Sequence, residues 1–171
     1  MIKNRKAIII GIKSTVLSKK EKLFLNKYKP WGVILFSRNL KKFKQIQKLI
    51  TDIKFIFKDN KYPILIDQEG GKINRLNKLI DTSILTAEFY GNLYKKDKKK
   101  FSNYYRVYIN QISYLLNELG ININTVPVLD VRRSKSSNII GDRSYSYVPE
   151  NVSKIGDFCI QEFSKGRIGT V

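Results

Sequence analysis

The sequence predicts an α/β fold organised on a parallel sheet, and three observations predict it. Uninterrupted aliphatic runs recur along the 171-residue chain, at Ile8-Ile9-Ile10, Val33-Ile34-Leu35 and Ile64-Leu65-Ile66. A run without polar alternation fits a strand covered on both faces, as parallel strands are when helices pack above and below them. Stretches with apolar residues three and four apart stand between the runs, and strand alternating with helix at this interval is the pattern of right-handed βαβ units. The second and third runs, finally, give way to polar residues, at the strand ends where sheets of this kind gather their ligands.

Each element has its own reason. Residues 7–12 form the first strand; the basic residues before it and its own six apolar positions are too short for the apolar region of about 7–15 residues that a secretory leader carries, and no small-residue cleavage site follows. Ser18 caps a helix through Lys29, with Glu21 completing a capping box and Leu23, Phe24 and Tyr28 expected as its apolar stripe; Pro30 stops it. The second strand, 32–36, leads to a helix over about 40–57, where Phe43, Ile46, Ile50, Ile53 and Phe57 share one face and lysines the other. After the turn at 58–61, Pro63 opens the third strand at Ile64. An irregular piece at 76–83 and a short helix over 87–94 precede the lysine run 95–100, read as an exposed helix start or loop.

A long helix over 101–119 places Tyr105, Tyr108, Ile112, Leu115, Leu116 and Leu119 inward and ends at Gly120. Helical spacing makes its tyrosines core rather than a base-stacking platform. The fourth strand is expected over 123–129, a polar loop over 134–138, and a helix over 149–165 with Val152, Ile155, Phe158, Cys159, Ile160 and Phe163 largely inward. Residues 168–171 open a fifth strand.

Composition narrows the function classes. The chain carries 33 Lys+Arg against 14 Asp+Glu, a net charge of +19. Such a field favours polyanions, but the lysines are spread along the chain and no nucleic-acid motif accompanies them, so no specific nucleic-acid partner is expected. Cys159 is the only cysteine, which excludes an intrachain disulfide and suits a reducing, cytoplasmic compartment. No run approaches the roughly 18 apolar residues of a membrane span.

The chemistry concentrates where Ile64-Leu65-Ile66 turns into Asp67-Gln68-Glu69-Gly70-Gly71. The glycines let the backbone turn sharply or approach a bound group, and Arg75 can fold back over the carboxylates. Charge and spacing alone read equally as a turn cap neutralised by Arg75 or as a ligand-holding pair. A ligand whose groups both donate and accept hydrogen bonds is met by carboxylates and planar donors together; Asp67, Arg75 and Arg143 provide that set from two strand-end loops. Asp130, Asp142 and Arg38 stand near the same rim and are read as pairing or capping residues, with Glu69 behind Asp67.

Four blocks in order, Ile34-Leu35-Phe36-Ser37-Arg38-Asn39, the stretch from Leu65 to Arg75, Pro127-Val128-Leu129-Asp130-Val131 and Ile139-Ile140-Gly141-Asp142-Arg143-Ser144-Tyr145, resemble the amino-terminal part of family 3 glycoside hydrolases, and within it the single-domain bacterial β-N-acetylhexosaminidases that recycle cell-wall sugars. The resemblance covers residues 7–171. It implies a partial TIM (β/α)8 barrel, the first four βα units plus the start of a fifth strand, with residues 1–171 a single incomplete domain, since a whole barrel takes about 250 residues.

It further implies Asp67 as the acid that holds hydroxyls of the terminal sugar, Arg75 and Arg143 as substrate-binding arginines, and retaining hydrolysis of terminal β-linked N-acetylglucosamine from peptidoglycan fragments, without metal or cofactor. Retaining enzymes use two carboxyl groups about 5–5.5 Å apart or an equivalent pair. In the family the nucleophile is an aspartate on a late strand, and this branch takes its acid/base from a histidine after a Lys-His-x-Pro-Gly-His-Gly motif that begins on the fifth strand. The sequence holds no histidine, so no catalytic residue is assigned within it and the chain is expected to be the carboxyl-terminally truncated, inactive front part of the enzyme. The alternatives are a β-glucosidase or β-xylosidase of the same family, or a non-catalytic sugar-binding remnant. Open barrel edges predict that the isolated chain aggregates or dimerises.

Overall fold

The structure, a computed structural model, describes residues 4–133 and 139–171. The expected polar loop at 134–138 lies outside the described residues. Five parallel strands, β1 (Lys6–Gly11), β2 (Pro30–Leu35), β3 (Ile64–Ile66), β4 (Ile123–Asn124) and β5 (Gly169–Thr170), pair in the order of the sequence. Between them run α1 (Lys19–Tyr28), α2 (Phe43–Phe57), α3 (Ala87–Lys96), α4 (Lys98–Leu119) and α5 (Pro149–Lys165). This is the partial α/β barrel that the sequence predicts: four βα units, α3 added after β3, and the start of a fifth strand.

Register and alternation fix which side chains reach the site. Val33, Leu35, Ile64 and Ile66 are buried in the main core with Ile46, Ile50 and Ile53 of α2 and Ile109 and Ile112 of α4. Because strand side chains alternate, Leu65 and Asp67 point to the opposite face, away from the helices. Val33 pairs with Ile64 and Leu35 with Ile66, so the ends of β2 and β3 lie level.

Most element boundaries follow their local signals. Ser18 and Glu21 form the reciprocal capping box at α1. Asp97, inside the lysine run, accepts from Lys100 N and starts α4, leaving Lys98, Lys99 and Lys100 as its exposed first turn. Gly120 closes α4 in the left-handed conformation.

Three expectations are corrected. The stripe on α1 is outside: Leu23 is 71% exposed and Phe24 and Tyr28 are exposed as well, and the buried residue is Leu25. Helix α2 packs beside α1, and the exposed Phe24 and Tyr28 rings lie against each other, tilted, with centroids 4.6 Å apart. On α5, Ile160 also turns outward. The fourth strand ends at Asn124 rather than near 129, because Pro127 offers no N–H to continue a ladder and the Asn124 side chain bonds to the main chain of Gln68 instead.

Candidate functional site

β3 delivers Asp67 to the rim, and the glycines after it bring the chain back. Glu69 N and Gly70 N donate to Ile73 O at 3.1 and 3.3 Å, closing a tight turn. Gly70 and Gly71 have φ of +93° and +58°, and a Cβ on Gly70 would stand 2.3 Å from the Leu85 carbonyl oxygen. Only glycine fits there.

Gln68 anchors the turn from below. Only 1% exposed, it accepts from Leu76 N at 3.0 Å and donates to Thr82 Oγ1 at 3.1 Å. Arg75, one residue before Leu76, is thereby carried back over the strand end, and its NH2 donates to Asp67 Oδ2 at 3.0 Å. The other carboxylate oxygen accepts from Thr125 Oγ1 at 2.6 Å. Asp67 is therefore fixed from β3, from the returning turn and from the segment after β4. The Arg75 guanidinium also lies over the Phe36 ring, 5.5 Å from its centroid, and its Nε is buried without a protein acceptor.

Arg143 arrives from a single 3-10 turn at Gly141–Arg143. Its Nε and NH2 donate to the two oxygens of Glu69, each at 2.8 Å. The Glu69 hydrogen bond raises the Arg143 pKa above its ordinary value, burial working against this, with the charges of Glu69, Asp130 and Asp67 adding to the rise. A second link between the same loops joins Lys72 Nζ to Asp142 Oδ1 at 3.4 Å. The cavity beneath the rim, bordered by Glu69, Lys72, Tyr108, Arg143 and Tyr145, measures about 20 Å³, room for a single water.

The structure thus brings Asp67, Arg75 and Arg143 to one rim, in two ion pairs: Asp67 with Arg75, and Glu69 with Arg143. Asp142 pairs with Lys72 and Arg38 donates its Nε to Ile12 O at 2.9 Å, in line with their pairing and capping roles, whereas Asp130 contributes its main-chain carbonyl, which accepts from Ser144 Oγ. Sequence reasoning missed Thr125 and Lys72. Thr125 sits two residues past Ile123, on the same side of the strand, which is the signal that could have found it. Among the described residues no group of three His, Cys, Asp or Glu side chains is arranged to hold a metal ion, and no helix is long and apolar enough to cross a membrane.

Residues 6–168 match the family model described as the glycosyl hydrolase family 3 N terminal domain. The chain belongs to glycosyl hydrolase family 3. It is 32% identical over 136 residues to a β-hexosaminidase A of Pseudoalteromonas piscicida, covering 77% of this chain and 22% of that protein. To a β-hexosaminidase of Thioalkalivibrio sulfidiphilus it is 26% identical over 148 residues, covering 86% of this chain and 42% of the relative. The family 3 chain therefore spans less than half the length of these relatives. Among solved structures, NagZ from Neisseria gonorrhoeae in complex with N-trifluoroacetyl-D-glucosamine shares the fold with a TM-score of 0.86 at 24% identity, over 97% of this chain and 49% of that one. A family 3 β-N-acetylglucosaminidase from Paenibacillus sp. superposes with a TM-score of 0.81 at 25% identity, over 95% of this chain and 30% of that one.

Proposed function

We propose that this chain is the sugar-holding part of a β-N-acetylhexosaminidase that removes terminal non-reducing β-linked N-acetylglucosamine from peptidoglycan fragments in the cytoplasm, with retention. The single observation that carries the reading is the rim itself: Asp67, braced by Thr125 and Arg75, stands beside Arg143 at strand ends of a family 3 domain whose relatives bear the name β-hexosaminidase. A carboxylate accepts from vicinal hydroxyls while guanidinium N–H groups donate to them. Asp67, Arg75 and Arg143 are the substrate-binding residues in this reading. It assigns neither nucleophile nor acid/base to these 171 residues: Asp67 and Glu69 are both engaged by arginines, and the sequence holds no histidine. In this reading the cleaving groups are not among these residues.

Nuclear magnetic resonance titration tests this. N-acetylglucosamine is expected to shift signals of the 65–75 and 139–145 segments, with glucose and xylose weaker, and Asp67→Ala is expected to abolish the shifts. Preference for glucose or xylose would move the assignment to a β-glucosidase or β-xylosidase of the same family. Binding confined to another surface would overturn it. A chromogenic N-acetylglucosaminide is expected to survive incubation with the chain, and its turnover would refute the placement of the cleaving groups.

A further inference from the structure

The loop that carries Arg143 rests on a support separate from the rim. Two residues past Arg143, the Tyr145 ring enters the interior and its hydroxyl meets that of Tyr105 on α4 at 2.6 Å, both groups buried. On the other side the Tyr145 carbonyl lies directly against Gly91 of α3; a Cβ added to Gly91 would stand 1.7 Å from that oxygen. The next turn of the loop is tied down by Ser144 Oγ, which donates to Asp130 O at 2.6 Å, and by Arg132 N, which donates to Ser146 O at 3.0 Å. Tyr145 is thus clamped at both its ends, by a hydroxyl partner and by a helix that approaches as near as a missing side chain allows. Arg143 has no such seat of its own: its side-chain bonds run to Glu69, across the rim.

We infer that Tyr145, seated between Gly91 and Tyr105, is the positioning residue for Arg143, and that α3 serves the site by setting how far that arginine stands from Asp67. This rests on the sugar-binding reading of the rim only for its consequence in affinity; the effect on Arg143 itself does not depend on it. An arginine fork aimed by a rigid seat loses little freedom on meeting a hydroxyl, which is the benefit of preorganisation. A shifted seat aims the same fork wrongly.

The test uses the 171-residue chain with ¹⁵N-labelled arginine, the Arg143 Nε–Hε signal being assigned from Arg143→Lys. Tyr105→Phe removes one hydroxyl, and with it the bond to Tyr145 and the contact with the Cys159 thiol. It is expected to move or broaden the Arg143 signal, to leave the Arg75 signal in place, and to weaken N-acetylglucosamine binding about three- to tenfold. Gly91→Ala is expected to do the same by pushing on the Tyr145 carbonyl, although alanine is the better helix former. If Gly91→Ala does not fold, Tyr105→Phe decides. The inference is overturned if neither variant changes the Arg143 signal, or if the Arg75 signal changes equally, which would mean general loosening. Should the unaltered chain bind no N-acetylglucosamine, the sugar reading fails while the Arg143 signal still decides the role of Tyr145.

Discussion

Glu69 and Arg143, 74 positions apart, meet fork to fork with both N–O distances at 2.8 Å. This pair, with Lys72–Asp142 beside it, joins the turn after β3 to the loop before α5. Replacing Glu69 by Gln keeps the shape but leaves a partly buried guanidinium without its counter-charge. Glu69→Gln is therefore expected to lower stability by about 1–3 kcal/mol, the lower half being favoured by residual solvent access to Arg143. Urea unfolding measures it. Adding Arg143→Gln to Glu69→Gln is expected to cost less than the sum of the single changes, because the two groups act on each other.

Gln68 has a different task. Its side chain holds Leu76 N and Thr82 Oγ1 where water does not reach. Gln68→Leu is close in volume but leaves the buried Leu76 N–H without its acceptor, so a loss of about 1–3 kcal/mol is expected. Since that bond fixes the return of the turn, sugar affinity is expected to fall with stability, in contrast to a core change such as Ile53→Val, which should lower stability by about 1 kcal/mol and leave affinity alone.

What was legible in the sequence depended on range. The face of α2, the capping box at Ser18, the end of α4 at Gly120 and the return of Arg75 towards Asp67 are written within a few residues of each other, and each stands where local chemistry puts it. The exposure of Leu23, Phe24 and Tyr28 was not legible, because periodicity shows that a face is apolar but not whether a neighbour covers it. The early end of β4 turned on Asn124 reaching across to Gln68, a contact 56 positions away. The partner of Arg143 was hidden for the same reason: Asp67 and Glu69 are both near candidates in sequence, and the path of the later loop selects Glu69.

Acid should loosen the contact between α4 and α5. Glu162 is buried, which works to raise its pKa, but Lys165 at 2.6 Å and Arg106 at 3.2 Å outweigh burial and hold it below the usual value of 4.5. A carboxylate depressed in the folded state stabilises the fold above its unfolded pKa, and that contribution disappears as pH falls through the folded value. The stability difference between the unaltered chain and Glu162→Gln is therefore expected to be constant above about pH 5 and to shrink progressively below pH 4.5. Thermal unfolding of both across pH 3–7, at about 0.1 M salt to screen surface pairs, measures it; a difference that grows on acidification would refute the assignment.

The open side of β1 governs the behaviour of the chain in solution. Among the described strands β1 pairs only with β2, and on this edge strand Ile8 and Ile9 are 49% and 45% exposed; Phe24 and Tyr28 of α1 are exposed as well. An unpaired strand with apolar side chains is a template for another chain, since its N–H and C=O groups seek partners and its side chains seek cover. Charge opposes this: at a net +19 the molecules repel each other. Repulsion acts through solvent and fades once the Debye length falls to about 3 Å near 1 M salt, whereas apolar association does not. Light scattering is thus expected to show self-association that increases with both protein concentration and salt, and Ile8→Lys, which places a charge on the edge, is expected to reduce it. A chain that stays monomeric and melts cooperatively at high salt would show that this edge is satisfied in some way the strand order does not reveal.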